Sequence, residues 1–268
     1  MPVDVEARVI RNTRLSPDYN VIALAAPEIA AVTRPGQFVM VRPARGLDPL
    51  LRRPFSVFEI LRDEDRPIGI TILSKRIGPT TRLLFEAAEG DTISCLGPLG
   101  QPFALPEPDA EAWMIAGGVG LAPFATLAES LAARGIRSTL FYGARRADEL
   151  FYLSWFEQRG VRLVLSTEDG SAGAHGRITV PLAAAFQAAD GARVACYACG
   201  PEPMLAAVSQ LAAGFGRDVQ VSVERVMGCG MGGCYSCVVP MKTPDGGHHY
   251  VRSCISGPVF AGSSLVWD

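Results

Sequence analysis

Four cysteines near the end of the chain constrain it more than any other feature. Cys229 and Cys234 are separated by four residues, Cys234 and Cys237 by two, and Cys254 follows after sixteen more. Four thiolates make the ligand set of a [2Fe-2S] cluster, and x4, then x2, then a distant fourth cysteine is one of the spacings such clusters use. The intervening sequence suits that chemistry. In CGMGGCYSC, Gly230, Gly232 and Gly233 let the backbone wrap tightly and turn N–H groups toward inorganic sulfide. Hydrogen bonds of that kind help set a reduction potential. A structural zinc site would use two paired CxxC-like arms, and Cys234 with Cys237 supplies only one. A Rieske centre needs histidines in place of two cysteines, whereas His248 and His249 stand in no such motif and read as solvated loop residues. The region from about residue 226 is therefore expected to wrap around the cluster with little regular structure.

Three further cysteines, Cys95, Cys196 and Cys199, bring the total to seven, an odd number that fits a disulfide framework poorly. Clustered cysteines in a reducing compartment mean metal or redox chemistry more often than cross-links. Cys95 and Cys196 read as small core hydrophobes. The chain carries 25 basic and 27 acidic residues, a balance that argues against an electrostatically driven nucleic-acid binder. No apolar run approaches the ~20 residues that span a bilayer. MPVDVEARVIRN opens without an apolar stretch of signal-peptide type. Together these predict a cytoplasmic protein with no membrane insertion.

Two textures precede the cysteine region. Up to about residue 105, short Val-, Ile- and Phe-rich runs (EARVIRN, NVIALAAP, GQFVMVRP, FSVFEIL, IGITILS) alternate with Gly, Pro and Asp. They predict an N-terminal antiparallel β-barrel interrupted by one short helix, TTRLLFEAA, and closed by LGPLGQPF at 96–103. From 106 to 225, apolar strands alternate with alanine-rich helices. WMIAGG, STLFYGA, VRLVLST, VACYACG and DVQVSVE read as strands, and LAPFATLAESLAARG and PMLAAVSQLAAGFG as helices. That alternation predicts a doubly wound parallel sheet with right-handed crossovers. The predicted class is thus β plus α/β, with domains at 1–105, 106–225 and 226–268.

Glycine-rich turns mark where phosphates could bind. AGGVGLAP (116–123), with Gly117, Gly118, Gly120 and Pro123, follows one predicted strand and opens a predicted helix. Such a turn brings backbone N–H groups and a helix N-terminus toward a diphosphate. CGPEPM (199–204), with Gly200, Pro201 and Met204, follows a later strand and places Cys199 at the carboxyl edge, where doubly wound sheets bind ligands. In the barrel region, PGQF (35–38) precedes RRPFS (52–56), and LSKRIGPTT (73–81) opens the short helix at Gly78, Thr80 and Thr81. RPFS resembles the Arg-x-(Tyr/Phe)-Ser signature of ferredoxin–NADP reductase-like flavoproteins, a resemblance that implies a guanidinium for the diphosphate, an aromatic over flavin or ribose and a hydroxyl near the isoalloxazine.

In this order, RPFS, GGVG, CGPEPM and the C-terminal cysteine quartet resemble the electron-transfer subunits of dihydroorotate dehydrogenase B, within the ferredoxin–NADP reductase-like superfamily. The likeness spans the chain and extends to LGPLGQPF, TEDGSAGAHG, ERVMGCGMGGC and SCISGPVF. It implies FAD in the barrel at Arg53, Pro54, Phe55, Ser56, Leu73, Ser74, Lys75, Thr80 and Thr81, a [2Fe-2S] cluster at the four cysteines, and NAD in the second domain. Ser74 stands where the family commonly has an aromatic, and Thr80 where a glycine is usual. The implied partner is an FMN-containing dihydroorotate dehydrogenase catalytic subunit, in a heterotetramer of pyrimidine biosynthesis. Cys199 and Glu224 are candidates near the reacting rings. Two alternatives remain open here: an NAD(P)H-reacting flavin/iron–sulfur subunit of another redox complex, and a non-catalytic module with structural zinc. Arg145 and Arg146 could meet a 2′-phosphate or form an ordinary solvated turn.

Overall fold

The structure is a computed structural model and describes residues 1–43, 46, 48–189 and 191–267. The first hundred residues form strands β1 (Val3–Arg14), β2 (Tyr19–Ala25), β3 (Phe38–Arg42), β4 (Arg53–Ser56), β5 (Ile60–Asp63), β6 (Arg66–Lys75) and β7 (Thr92–Leu99). Helices α1 (Pro27–Ala30) and α2 (Pro79–Glu86) interrupt them. The strands pair antiparallel in the order β4-β3-β7-β1-β2-β6-β5. Just past β4 the chain reaches β6, where the Phe58 N–H donates to the Thr71 carbonyl at 2.8 Å and the Thr71 N–H to the Glu59 carbonyl at 2.9 Å. These bonds draw the ends of the sheet together into a barrel. The Asn12 amide donates to the carbonyls of Leu84 (2.9 Å), Phe85 (3.2 Å) and Ala87 (2.9 Å), satisfying acceptors that the end of α2 leaves open.

The second sheet is built from β8 (Glu111–Gly117), β9 (Ser138–Ala144), β10 (Arg162–Thr167), β11 (Ala174–His175), β12 (Val194–Cys199) and β13 (Val219–Ser222). Helices α3 (Phe124–Ala132), α4 (Leu153–Glu157), α5 (Thr179–Ala188) and α6 (Glu202–Gly214) connect them. All of these strands pair in parallel. The order is β11-β10-β9-β8-β12-β13, so chain direction across the sheet reverses between β8 and β12. That reversal is the crevice where doubly wound folds bind ligands. The helix expected from residue 121 starts later. Gly118–Leu121 forms a 3-10 turn and Pro123 caps α3, because proline has no N–H to extend the ladder backward.

The C-terminal region holds more regular structure than its composition suggests. It forms β14 (Val238–Lys242), β15 (His248–Arg252), α7 (Ser253–Ser256) and β16 (Val259–Ala261). His248 and His249 lie on a strand paired with β14 rather than in a loop, though both are exposed as expected. β16 returns to the nucleotide sheet and pairs antiparallel with β13, Val221 opposite Phe260. The parallel sheet thus acquires an antiparallel edge strand from the cysteine region.

The parts share cores. Barrel residues Val21, Phe58, Leu73 and Phe103 lie in one apolar cluster with Met114, Leu121, Phe124 and Tyr142 of the second sheet and its helices. A smaller cluster joins Phe38, Met40, Leu96 and Leu99 of the barrel to Met227, Cys237 and Cys254. Among the described residues no helix is long and apolar enough to cross a membrane.

Candidate functional site

The four C-terminal cysteines come together in two pairs. Cys229 faces Cys234, and Cys237 faces Cys254. The second pair is buried against Phe38, Met40, Leu96 and Leu99. The first pair is outermost: Cys229 is half-buried and Cys234 exposed. Two facing pairs fit a two-iron cluster, which takes two cysteines on each iron. All seven cysteines are free thiols.

Local chemistry favours thiolate on the outer side. The Ser236 hydroxyl, at 3.2 Å, with the Ser236 backbone and the Cys229 thiol behind it, holds Cys234 down to about 6. Burial pushes Cys254 up to about 12, and the facing Cys237 adds to this. N–H donors aim at sulfur as the glycines suggested: Met231 N–H lies 3.4 Å from Cys229 Sγ, and the Gly232 backbone bonds Cys254. Gly230, at φ +73°, presses the loop onto the barrel, where an added Cβ would meet Met40 Cγ at 2.6 Å. The hydroxyl of Ser253, next to Cys254, is buried without a partner and is one more donor beside the inner pair.

The two glycine-rich turns meet at the switch point between β8 and β12. A Cβ on Gly120 would stand 2.1 Å from the Cys199 carbonyl oxygen, one on Gly117 2.6 Å from Met204 Sδ, and one on Gly200 2.7 Å from Met204 Cε. Gly117, Gly120, Gly200, Pro201 and Met204 thus lock one turn against the other. Gly118 differs, with φ +55° and open space before it, so its backbone is the part a ligand can approach. Pro123 is buried at the start of α3.

Beside these turns lies a cavity of about 180 Å³ lined by Gly200, Glu202, Leu205, Val223, Glu224 and Arg225. Arg225 spans Glu202 with two bonds of 2.6 and 2.7 Å. Glu224 is exposed at the rim. Burial pushes the Cys199 thiol up to about 12 despite its bond to Ser222, so Cys199 stands there as a neutral thiol. Arg145 pairs with Glu149 and Arg146 with Asp148, which makes their segment a self-neutralised turn.

On the barrel, Arg53, Pro54, Phe55 and Ser56 are β4, an edge strand with Phe55 opposite Val39. The Arg53 side chain is exposed and folds back onto the carbonyls of Leu51 (3.1 Å) and Arg52 (3.2 Å). Leu73 and Ser74 are buried on β6 at 4% and 1% exposure, and the Ser74 hydroxyl is buried without a partner. Lys75 lies over the Tyr19 ring at 4.9 Å, and Tyr19 meets Phe151 of the second domain. Thr80 is buried. The Thr81 hydroxyl accepts the N–H groups of Ile77 and Gly78, each at 2.9 Å. It is therefore the cap of α2 and not an idle donor at its mouth. Sequence reasoning missed Gln101, whose backbone N–H donates to the Gly257 carbonyl at 2.6 Å and whose side chain donates to the Ile255 carbonyl at 3.0 Å. It ties the Cys254 segment to the barrel, and only its place in the LGPLGQPF motif signalled it.

Residues 224–266 match the family model described as the iron-sulfur cluster binding domain of dihydroorotate dehydrogenase B, and residues 114–210 the oxidoreductase NAD-binding domain. The chain is 35% identical over 98% of both sequences to the dihydroorotate dehydrogenase B (NAD(+)) electron transfer subunit of Desulforamulus reducens. It is 36% identical over 91% of both sequences to that of Geobacillus kaustophilus. The chain belongs to the dihydroorotate dehydrogenase B electron-transfer subunit family. A solved structure described as an NADH-dependent reduced ferredoxin-NADP oxidoreductase superposes with a TM-score of 0.83 at 29% identity, covering 98% of this chain and 91% of that one. The fold is thus of the ferredoxin–NADP reductase type, and membership of the dihydroorotate dehydrogenase B family accounts for the cysteine quartet appended to it.

Proposed function

We propose that this chain is the electron-transfer subunit that links an FMN-containing, dihydroorotate-oxidising partner to NAD+ in pyrimidine biosynthesis. The observation that carries this reading is the graded cysteine cage, with one pair buried on the barrel and the other at the surface. When bound, the [2Fe-2S] cluster supplies single-electron steps, FAD couples them, and NAD takes the pair as hydride.

The chain's own residues position these groups. Cys237 and Cys254 would hold the inner side of the cluster against the barrel, and Cys229 and Cys234 its outer side. Exposed Met231, Tyr235 and Ile255 around that outer side give a partner apolar surface to cover. FAD would lie along β4 at Arg53–Ser56, where the Arg53 fork meets the diphosphate. Leu73, Ser74 and Lys75 at the end of β6 and the N-terminus of α2 at Gly78, Thr80 and Thr81 would complete that site. NAD would approach the open Gly118 backbone on a turn braced by Gly117, Gly120, Gly200, Pro201 and Met204. Cys199 and Glu224 would flank the nicotinamide without exchanging protons, since hydride transfer requires none from the protein. The domain limits follow as 1–105, 106–225 and 226–268. Free thiols throughout fit a cytoplasmic setting, and a heterotetramer with the catalytic subunit is the assembly expected. The full-length relatives favour this reading over another redox complex.

The test is co-expression with an FMN-containing dihydroorotate dehydrogenase catalytic subunit. A co-purifying complex that forms NADH from dihydroorotate supports the assignment. A complex that oxidises dihydroorotate only with artificial acceptors contradicts it.

A further inference from the structure

Arg252 reaches from the segment that carries Cys254 to the loop that carries the other three cysteines. Its Nη1 donates to the Gly232 carbonyl at 2.7 Å, and its guanidinium lies over the Tyr235 ring at 4.7 Å. Both partners sit in left-handed backbone, Gly232 at φ +80° and Tyr235 at φ +58°. That conformation is costly for tyrosine and persists only where surroundings impose it. Arg252 supplies such a constraint. Arg252 ends β15 two residues before Cys254, while Gly232 and Tyr235 flank Cys234, so the contact spans both halves of the cage. Among the described residues no carboxylate forms an ion pair with Arg252.

We infer that Arg252 is a positioning residue for the cluster: through the Gly232 carbonyl and the Tyr235 ring it fixes the loop that carries Cys229 and Cys234 against the Cys254 segment, and it raises the cluster's reduction potential. This rests on the iron–sulfur reading above. The physical reasons are two. An N–H donor to a ligand sulfur stabilises the reduced, more negative cluster, and the loop that Arg252 holds carries one, the Met231 N–H 3.4 Å from Cys229 Sγ. A fixed cation nearby acts in the same direction, because reduction adds negative charge. Lysine keeps the charge and a donor but lacks the planar fork that serves carbonyl and ring at once.

The test compares wild type with Arg252→Met and Arg252→Lys in the full chain. Iron and acid-labile sulfide are assayed first, and the cluster potential is then read by an EPR-monitored redox titration. Arg252→Met is expected to shift the one-electron equilibrium toward the oxidised cluster about tenfold, ~59 mV at n = 1, with an altered EPR line shape. Arg252→Lys is expected to recover most of that shift. If Arg252→Met loses its iron, an iron-replete Arg252→Lys with near-wild-type potential supports the assignment. An iron-replete Arg252→Met with unchanged potential overturns it, as does Arg252→Lys impaired as severely as Arg252→Met. Wild-type protein without iron or sulfide would instead refute the cluster itself.

Discussion

Replacing Gly120 with alanine tests the nicotinamide cleft at its tightest point. The new Cβ would stand 2.1 Å from the Cys199 carbonyl oxygen, 2.4 Å from the Cys199 carbonyl carbon and 2.7 Å from the Gly200 nitrogen. All three are backbone atoms, so no side-chain rotation relieves the contact. The GGVG turn must then move off the CGPEPM turn, and overpacking of that kind costs about 1–3 kcal/mol. If that cost falls on the NAD-competent arrangement, affinity for NADH drops roughly 5- to 150-fold at about 1.4 kcal/mol per decade. The assay is an anaerobic titration with NADH, following the bleaching of the flavin band. Gly135→Ala is the control. Gly135 has φ +67° with open space around it, so alanine there loses about 1–2 kcal/mol to left-handed backbone without touching the cleft. It should lower the melting temperature and leave NADH affinity unchanged. Gly120→Ala with wild-type affinity for NADH would refute the idea that the two turns form one site.

Other perturbations separate the remaining parts. Cys237→Ser and Cys254→Ser should abolish the iron content, whereas Cys95→Ala, in the barrel core, should leave it intact by iron and sulfide assay. Gln101→Ala removes the side-chain bond to the Ile255 carbonyl, worth about 1 kcal/mol, and should speed iron loss to a chelator while flavin content holds. The Arg145 side-chain bond holds Glu149 below its ordinary value of 4.5. The pair's stabilisation is thus complete above that unfolded value and is lost as pH falls through the lower folded one. Glu149→Gln should accordingly flatten the acid side of the stability profile measured by urea unfolding, and an unchanged slope would remove Glu149 from the account.

The chemistry was more legible in the sequence than the geometry. Cysteine spacing is a local property tied to one class of cluster, and the glycine turns followed recognisable strands, so both could be placed without a structure. The two-and-two division of the cage was not legible, because it depends on Met40 and Leu99 of the barrel burying one pair. The packing role of Gly120 was hidden for a similar reason. A glycine in such a turn reads as room for a phosphate, but its constraint comes from Cys199, far along the chain, and only Gly118 faces open space. β16 escaped notice because three residues, Val259–Ala261, are too few to carry a period, and their pairing with β13 is non-local. That the Thr81 hydroxyl caps α2 was not legible either, because a helix N-terminus attracts both ligands and caps.

The most direct test of the central claim is the visible spectrum of the anaerobically purified chain before and after NADH. The account predicts flavin bands with a broad iron–sulfur shoulder, both bleached by NADH. A protein that shows flavin alone, with zinc and no iron on metal analysis, would contradict it.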